Sequence, residues 1–219
     1  MIPDMLIRTA AVSPFFKNGY VVTCAATRQA VLIDPGDEVA ELLAAMAADR
    51  ATVTAILLTH AHLDHITGVT QAKSATGAPV WIHRDDLFLY YGVVEQGRMF
   101  GFDVRPQPAI DRFYEPGRQL EFGHCVVDVH HTPGHSPGGV CLAIGENDAK
   151  RRDLFVGDTL FAGSIGRTDL PGGDMDTLLA SIRNVLFTFP DDAVVYSGHG
   201  PETTIGQEKR TNPFLRGAT

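Results

Sequence analysis

Four candidate metal-ligating side chains fall within six residues in the run Thr59-His60-Ala61-His62-Leu63-Asp64-His65. Neutral imidazole and carboxylate are good donors to zinc, and imidazole also suits iron. A regular strand or helix cannot turn all four toward one ion, because its side chains repeat at fixed angles. A loop leaving a strand can splay them toward two neighbouring ions. An exposed loop has no need of such a set, and a buried one could not hold it unpaired. Three more donors recur where apolar segments end. They are His135 within His131-Thr132-Pro133-Gly134-His135-Ser136-Pro137-Gly138-Gly139, Asp158 after Val156-Gly157, and His199 within Ser197-Gly198-His199-Gly200. His83, His124 and His130 lack such company and read as surface or satisfied core residues. Asp37 and Asp128 read as turn formers or helix caps.

The elements that must position these donors are mostly strands. Residues 20–25 and 30–34 are apolar runs separated by a turn, which predicts a hairpin. Residues 53–58 form a buried-strand pattern that leads straight into the histidine run. Shorter runs follow at 80–83, 125–129, 140–144, 154–156 and 193–196. Val39, Leu42, Leu43 and Met46 have helical spacing, with Asp37 placed to cap. Met175, Leu178, Leu179, Ile182 and Leu186 repeat that spacing after Gly172-Gly173-Asp174. A third helix is expected after His65 and a fourth near 85–94. Each helix must bury one apolar stripe and each sheet one or two faces. An α/β sandwich of two sheets with helices outside satisfies both.

The chain has 219 residues, 44% of them hydrophobic, which fits one packed domain over 1–219. Its formal net charge is −8 with no basic block, which argues against nucleic-acid binding and against a polybasic membrane surface. No apolar run reaches membrane-spanning length. Cys24, Cys125 and Cys141 are odd in number and form no C-x-x-C pair, so they read as small buried hydrophobes. The N-terminus carries no secretory pattern, and a reducing cytoplasm is the expected location.

The His60–His65 run, followed by His135, Asp158 and His199 in that order, resembles the signature of the metallo-β-lactamase superfamily. The resemblance runs from Asp34-Pro35-Gly36 to the end of the chain. It implies a four-layer αβ/βα sandwich with two divalent metal ions, zinc expected and iron or manganese as alternatives, at one edge between two mixed sheets. By position, His60, His62 and His135 would hold the first ion, and Asp64, His65 and His199 the second. Asp158 would bridge them. Asp64 and Asp158 are thereby the candidate catalytic carboxylates, and Asp34 would either support a ligand from behind or serve simply as a turn residue after its strand.

Within the superfamily the chain is similar to glyoxalase II, the hydroxyacylglutathione hydrolases, and most to the short bacterial forms. Gly157-Asp158-Thr159-Leu160-Phe161, Gly166-Arg167-Thr168-Asp169-Leu170-Pro171-Gly172-Gly173 and Asn212-Pro213-Phe214-Leu215 carry that similarity. It implies hydrolysis of a small-molecule thioester such as S-D-lactoylglutathione. About twenty residues follow His199, too few for the helical domain that binds glutathione in the longer forms. Arg167 is therefore the expected substrate-binding cation, with Lys209 and Arg210 read as a solvated face. Secreted zinc β-lactamases, RNA-processing relatives and flavodiiron reductases fit less well, since they call for a leader with a frequent Cys at 158, a basic surface, and a Glu at 62. The competing reading is a persulfide dioxygenase of the same fold, with one iron on His60, His135 and Asp158.

Overall fold

Along Gln29–Ile33, Ala30 and Leu32 bury into one apolar cluster, and Val31 and Ile33 into another. Both faces of the strand are covered, so its sequence is an unbroken apolar run instead of an alternation with polar residues. The same parity holds along Val140–Glu146, where Val140, Leu142 and Ile144 face one cluster and Cys141 and Ala143 another. Two sheets therefore pack face to face, and each carries helices on its outer side.

The structure is a computed structural model that describes residues 5–147 and 152–216. The first sheet runs in chain order: β1 (Met5–Ala10), β2 (Gly19–Cys24), β3 (Gln29–Ile33), β4 (Thr52–Leu57), β5 (Val80–Ile82) and β6 (Arg112–Phe113). Its first three strands are antiparallel and the rest pair in parallel. The second half contributes β7 (Leu120–Phe122), β8 (Cys125–His131), β9 (Val140–Glu146) and β10 (Asp153–Gly157). A small hairpin follows, β11 (Leu160–Phe161) and β12 (Ser164–Ile165), and then β13 (Val194–Ser197) and β14 (Thr203–Thr204). The second sheet has the order β14-β13-β10-β9-β8-β7.

Outside the first sheet lie α1 (Val39–Ala48), α2 (Leu63–Ile66), α3 (Val69–Thr76), α4 (Leu87–Tyr91) and α5 (Val93–Phe100). Val39, Leu42, Val69, Leu89 and Val93 bury against that sheet. Outside the second lie α6 (Met175–Asn184) and α7 (Ile205–Thr211), anchored by Leu178, Ile182 and Ile205. This is the four-layer αβ/βα sandwich expected from the sequence. Cys24, Cys125 and Cys141 are all buried. No helix among the described residues is long and apolar enough to cross a membrane.

Strand pairing decides where the loops emerge. β3 and β4 are parallel with Ile33 level with Leu57, so Asp34 and Thr59 leave their strands side by side. β10 and β13 are parallel with Gly157 level with Ser197, so Asp158 and His199 do the same. The turn between β8 and β9 closes at that edge, and the Val140 N–H donates to the Thr59 carbonyl at 2.9 Å, which ties the two sheets together.

Several local expectations change. Asp37 does not cap α1: the residue before the helix is Glu38, and the Asp37 carboxylate accepts instead from Thr67 Oγ1 at 2.7 Å. Asp128 is no turn former. It sits within β8 and accepts from Gln119 and Arg152. The helix expected near 85–94 opens with a 3₁₀ turn, Arg84–Asp86, and breaks at Gly92 into α4 and α5. α6 stops at Asn184, leaving Leu186 in a 3₁₀ turn. The short strands β1, β6, β7, β11, β12 and β14 have no counterpart among the sequence expectations.

Candidate metal centre

The crowded run divides in two because its backbone does. His60 and His62 lie in non-helical chain beyond β4, and His62 is the extended residue preceding α2. Asp64 and His65 occupy α2 itself. One pair of side chains therefore leaves an extended segment and the other a helical turn, so the four donors point to two places.

His60, His62 and His135 offer ligand atoms that all lie within 4.8 Å of one another, and so do Asp64, His65 and His199. His62 Nδ1 and His135 Nε2 are 2.8 Å apart, and His199 Nε2 and Asp64 Oδ2 are 3.0 Å apart. The Asp158 carboxylate stands between the two groups. Its Oδ1 is 3.3 Å from His65 Nε2, and its Oδ2 is 3.6 Å from both His135 Nε2 and His199 Nε2. The approach of β13 to this carboxylate needs a glycine at 198, where a Cβ would come within 2.1 Å of Asp158 Oδ1. All seven residues singled out by sequence are thus gathered at one edge of the sandwich.

Three of the five histidines, His60, His65 and His135, are held from behind with their lone pairs turned inward. Thr59 Oγ1 donates to Asp34 Oδ2 at 2.5 Å, which leaves it free to accept from His60 Nδ1 at 3.1 Å. His65 Nδ1 donates to Asp34 Oδ2, and His135 Nδ1 to the Arg167 carbonyl at 2.7 Å. Each outer N–H is thereby committed, which fixes the tautomer and leaves Nε2 as a donor to an ion. His60 Nε2, His65 Nε2 and Asp158 Oδ1 are buried and make no well-formed hydrogen bond. Buried polar atoms are rarely left so. The donor set of imidazoles and carboxylates fits divalent cations. Asp34 also lies near His60 and His65 as a possible ligand group, but its oxygens are taken by Thr59 and His65, which makes it a brace.

Electrostatics point the same way. Burial, reinforced by the neighbouring imidazoles, pushes His60 well below its ordinary value, and burial with His135 pushes His62 down to about 3. Both are neutral donors. Burial also opposes a proton on His65, but the carboxylates of Asp64, Asp158 and Asp34 outweigh it and raise the imidazole to about 10. Burial opposes ionisation of Asp158 and Asp64, yet the adjacent histidines hold both below the usual carboxylate range. In the metal-free chain the His65 proton is the positive charge that these carboxylates demand.

The centre opens into a cavity of about 280 Å³ walled by Phe15, Leu63, Phe100 and Leu170. A larger groove of about 840 Å³, along α3 and residues 102–107, shares Phe15 and Leu63 with it but contains none of the seven donors. Arg167 lines the smaller cavity, with its guanidinium committed to Asp169 by two bonds of 2.7 Å. Lys209 pairs with Asp191 at a distance from the centre, in keeping with a solvated face. His83 stacks on His131 at 4.2 Å with the rings only 12° from parallel, and with Asp85 the two offer ligand atoms within 4.8 Å of one another, in a more exposed setting than the main centre.

Sequence reasoning missed four groups that hold the frame. Gln96 accepts from Leu63 N and donates to the carbonyls of Ala61 and Leu89. Asp86 is fully buried between the ligand loops. Lys17 is buried against Glu38 and the Asp34 carbonyl. Asn18 donates from its side chain to the carbonyls of Ser197 and Gly200, bracing the His199 turn. None carries a sequence signal, because each acts across a long stretch of chain.

Comparison with known proteins agrees with this architecture. Residues 12–199 match the family model described as the metallo-beta-lactamase superfamily. A hydroxyacylglutathione hydrolase, GloC, of Haemophilus influenzae is 40% identical over 190 residues, covering 86% of this chain and 88% of that protein. The crystal structure of the BLEG-1 B3 metallo-beta-lactamase superposes with a TM-score of 0.87 at 38% identity, over 97% of this chain and all of that one. That of TTHA1623 in a di-iron-bound form superposes with a TM-score of 0.83 at 42% identity, over 95% of this chain and all of that one. With a matching family model over most of its length and relatives well above 30% identity, the chain belongs to the metallo-beta-lactamase superfamily.

Proposed function

We propose that this protein is a two-metal thioester hydrolase of the glyoxalase II type, acting on a small-molecule thioester such as S-D-lactoylglutathione. The observation that carries the reading is the Asp158 carboxylate, shared between two converging donor groups at the floor of an open cavity. His60, His62 and His135 would hold one ion and Asp64, His65 and His199 the other, with Asp158 common to both. Zinc suits this set of nitrogen and oxygen donors. A bound zinc would supply Lewis acidity and an ionised water at neutral pH.

The chain's own residues do the rest. Phe15, Leu63, Phe100 and Leu170 exclude bulk water from one side of the cavity and give an acyl group an apolar wall. Asp64 and Asp158, kept ionised by the adjacent histidines, would hold the ions as carboxylates and balance their charge. His60, His65 and His135 have their outer N–H tied to the protein, and Arg167 is neutralised by Asp169. None of these four side chains is thus placed as a general acid. A thiol, with an ordinary pKa of about 8.5, leaves as its anion without one, whereas an amine does not. This favours a thioester over an amide. The GloC relative supports the same choice.

The test is turnover of S-D-lactoylglutathione, a β-lactam and glutathione persulfide side by side, on protein of measured metal content. Thiol release without oxygen uptake, at two ions per chain, is expected. Oxygen uptake with persulfide at one iron per chain would replace the reading with a dioxygenase and leave Asp64, His65 and His199 without a role. Preference for the β-lactam would move the substrate class toward that of the BLEG-1 relative.

A further inference from the structure

Asp86 ends the 3₁₀ turn between β5 and α4 and is fully buried. Its carboxylate faces three donors from two separate loops. Oδ2 accepts from the Ala61 N–H at 2.9 Å and from Ser136 Oγ at 2.9 Å, and Oδ1 accepts from the Gly138 N–H at 2.6 Å. Ala61 lies between His60 and His62, and Ser136 follows His135. The carboxylate therefore joins the loop that carries two of the three clustered imidazoles to the loop that carries the third. The approach is close enough to require glycine at 138, where a Cβ would meet Asp86 Oδ1 at 2.8 Å.

The second group has a separate arrangement. The Asp34 carboxylate accepts from Thr59 and His65, and among the described residues it takes no hydrogen bond from the His135 loop. Asp34 thus reaches His65 directly and His60 through Thr59, whereas Asp86 is the carboxylate that ties the His135 loop to the His60–His62 segment.

We propose that Asp86 is a positioning residue that sets the spacing of His60, His62 and His135, and with it the metal affinity of that half alone. The inference rests on the two-metal reading of the site but not on the substrate. A simple structural role predicts something else, because loss of a general stabilising contact would weaken both halves together. An asparagine at 86 has one acceptor oxygen for three donors, so its amide N–H₂ must face either Gly138 N–H or Ala61 N–H. One loop then moves away from the other. Support from behind a ligand is worth roughly 10–100-fold in metal affinity.

The test is titration of metal-free wild-type protein, Asp86→Asn and Ser136→Ala with cobalt(II). Both dissociation constants are read by absorbance against a competing chelator. The two halves are told apart by the paramagnetically shifted imidazole N–H resonances. The expected result for Asp86→Asn is a fall of roughly 10–100-fold in affinity at the three-imidazole half, with the shifted N–H signal of His65 and its affinity unchanged. Ser136→Ala removes one of the three donors and is expected to give a smaller fall at the same half. Equal losses at both halves, or none at either, overturn the proposal. If Asp86→Asn does not fold, Ser136→Ala decides alone: a selective fall of threefold or more supports the role, and an unchanged affinity overturns it. The readout is binding and not turnover, so a protein that binds two ions but spares thioesters would sink the substrate reading and leave the role of Asp86 intact.

Discussion

His65 Nδ1 lies 2.9 Å from Asp34 Oδ2, and both side chains are buried. The same carboxylate accepts from Thr59 N at 2.7 Å and from Thr59 Oγ1. One group thus orients an imidazole of the second donor cluster and, through Thr59, an imidazole of the first. Asp34 itself sits at φ 47°, a left-handed conformation that a non-glycine residue rarely adopts. Asp34→Ala would leave three donors facing a void. It is expected to lower metal affinity by roughly 10–100-fold, mostly at the cluster of Asp64, His65 and His199. Metal content after dialysis against graded chelator measures this, and retention equal to wild type would remove Asp34 from the account.

Arg167 and Asp169 form an exposed bidentate pair beside the cavity, while the Arg167 carbonyl accepts from His135. Side chain and backbone at 167 therefore do different work. Arg167→Ala leaves the carbonyl in place and is expected to raise KM severalfold for a thioester with an anionic carrier, with kcat nearly unchanged. Asp169→Asn frees the guanidinium and is expected to lower KM for the same substrate. The exposed pair contributes little to stability, since solvent screens it. Steady-state kinetics of both variants decide the matter, and a shared direction of change would argue against substrate contact by Arg167.

The legible part of this molecule was the part with dense local pattern. Residues 59–65 announce themselves because four donors in six residues have no ordinary structural use. Runs buried on both faces, such as 30–34 and 53–58, read as strands for the same reason of density. What escaped lies in pairs far apart in sequence. Asp86 meets Ser136 across 50 residues and Asn18 meets Ser197 across 179, so no window contains both partners. Asp37 misled because its position fits a cap, yet the tertiary partner Thr67 claimed its carboxylate. Strands of two or three residues such as β6 and β14 are fixed by their neighbours and carry no periodicity.

Lys17 and Glu38 are almost fully buried as an ion pair with Nζ 2.5 Å from Oε1. Lys17 also donates to the Asp34 carbonyl, and Glu38 accepts from Gly36 N at 3.0 Å. The pair pins the turn that presents Asp34 to His65. Lys17→Met strands a buried carboxylate and is expected to cost about 3–5 kcal/mol. Lys17→Met with Glu38→Gln removes both charges and is expected to regain part of that loss. Urea unfolding of the single and double variants measures the coupling, and additive losses would show that the two side chains act independently.

Metal-free protein should also betray the centre through pH. The folded state holds a proton on His65 up to about pH 10, while in the unfolded chain that proton leaves near pH 6.5. Its contribution to stability is therefore fully present below about pH 6.5 and is lost as pH rises through about 10. His62 behaves in the opposite sense. Its folded value of about 3 keeps it neutral, while the unfolded chain takes up a proton near 6.5, so stability falls as pH drops from about 6.5 toward 3. His60 adds to that acid-side loss. The metal-free midpoint of thermal unfolding is expected to peak near pH 6.5 and to decline on both sides. An ion at the second cluster must displace the His65 proton, so metal binding at pH 7.5 is expected to release about one proton per chain from this group. Calorimetric titration with zinc in two buffers of different ionisation enthalpy counts that proton. A midpoint that stays level from pH 6.5 to 9.5, with no buffer dependence of the binding heat, would mean that His65 is neutral in the metal-free centre and that another group balances the three carboxylates.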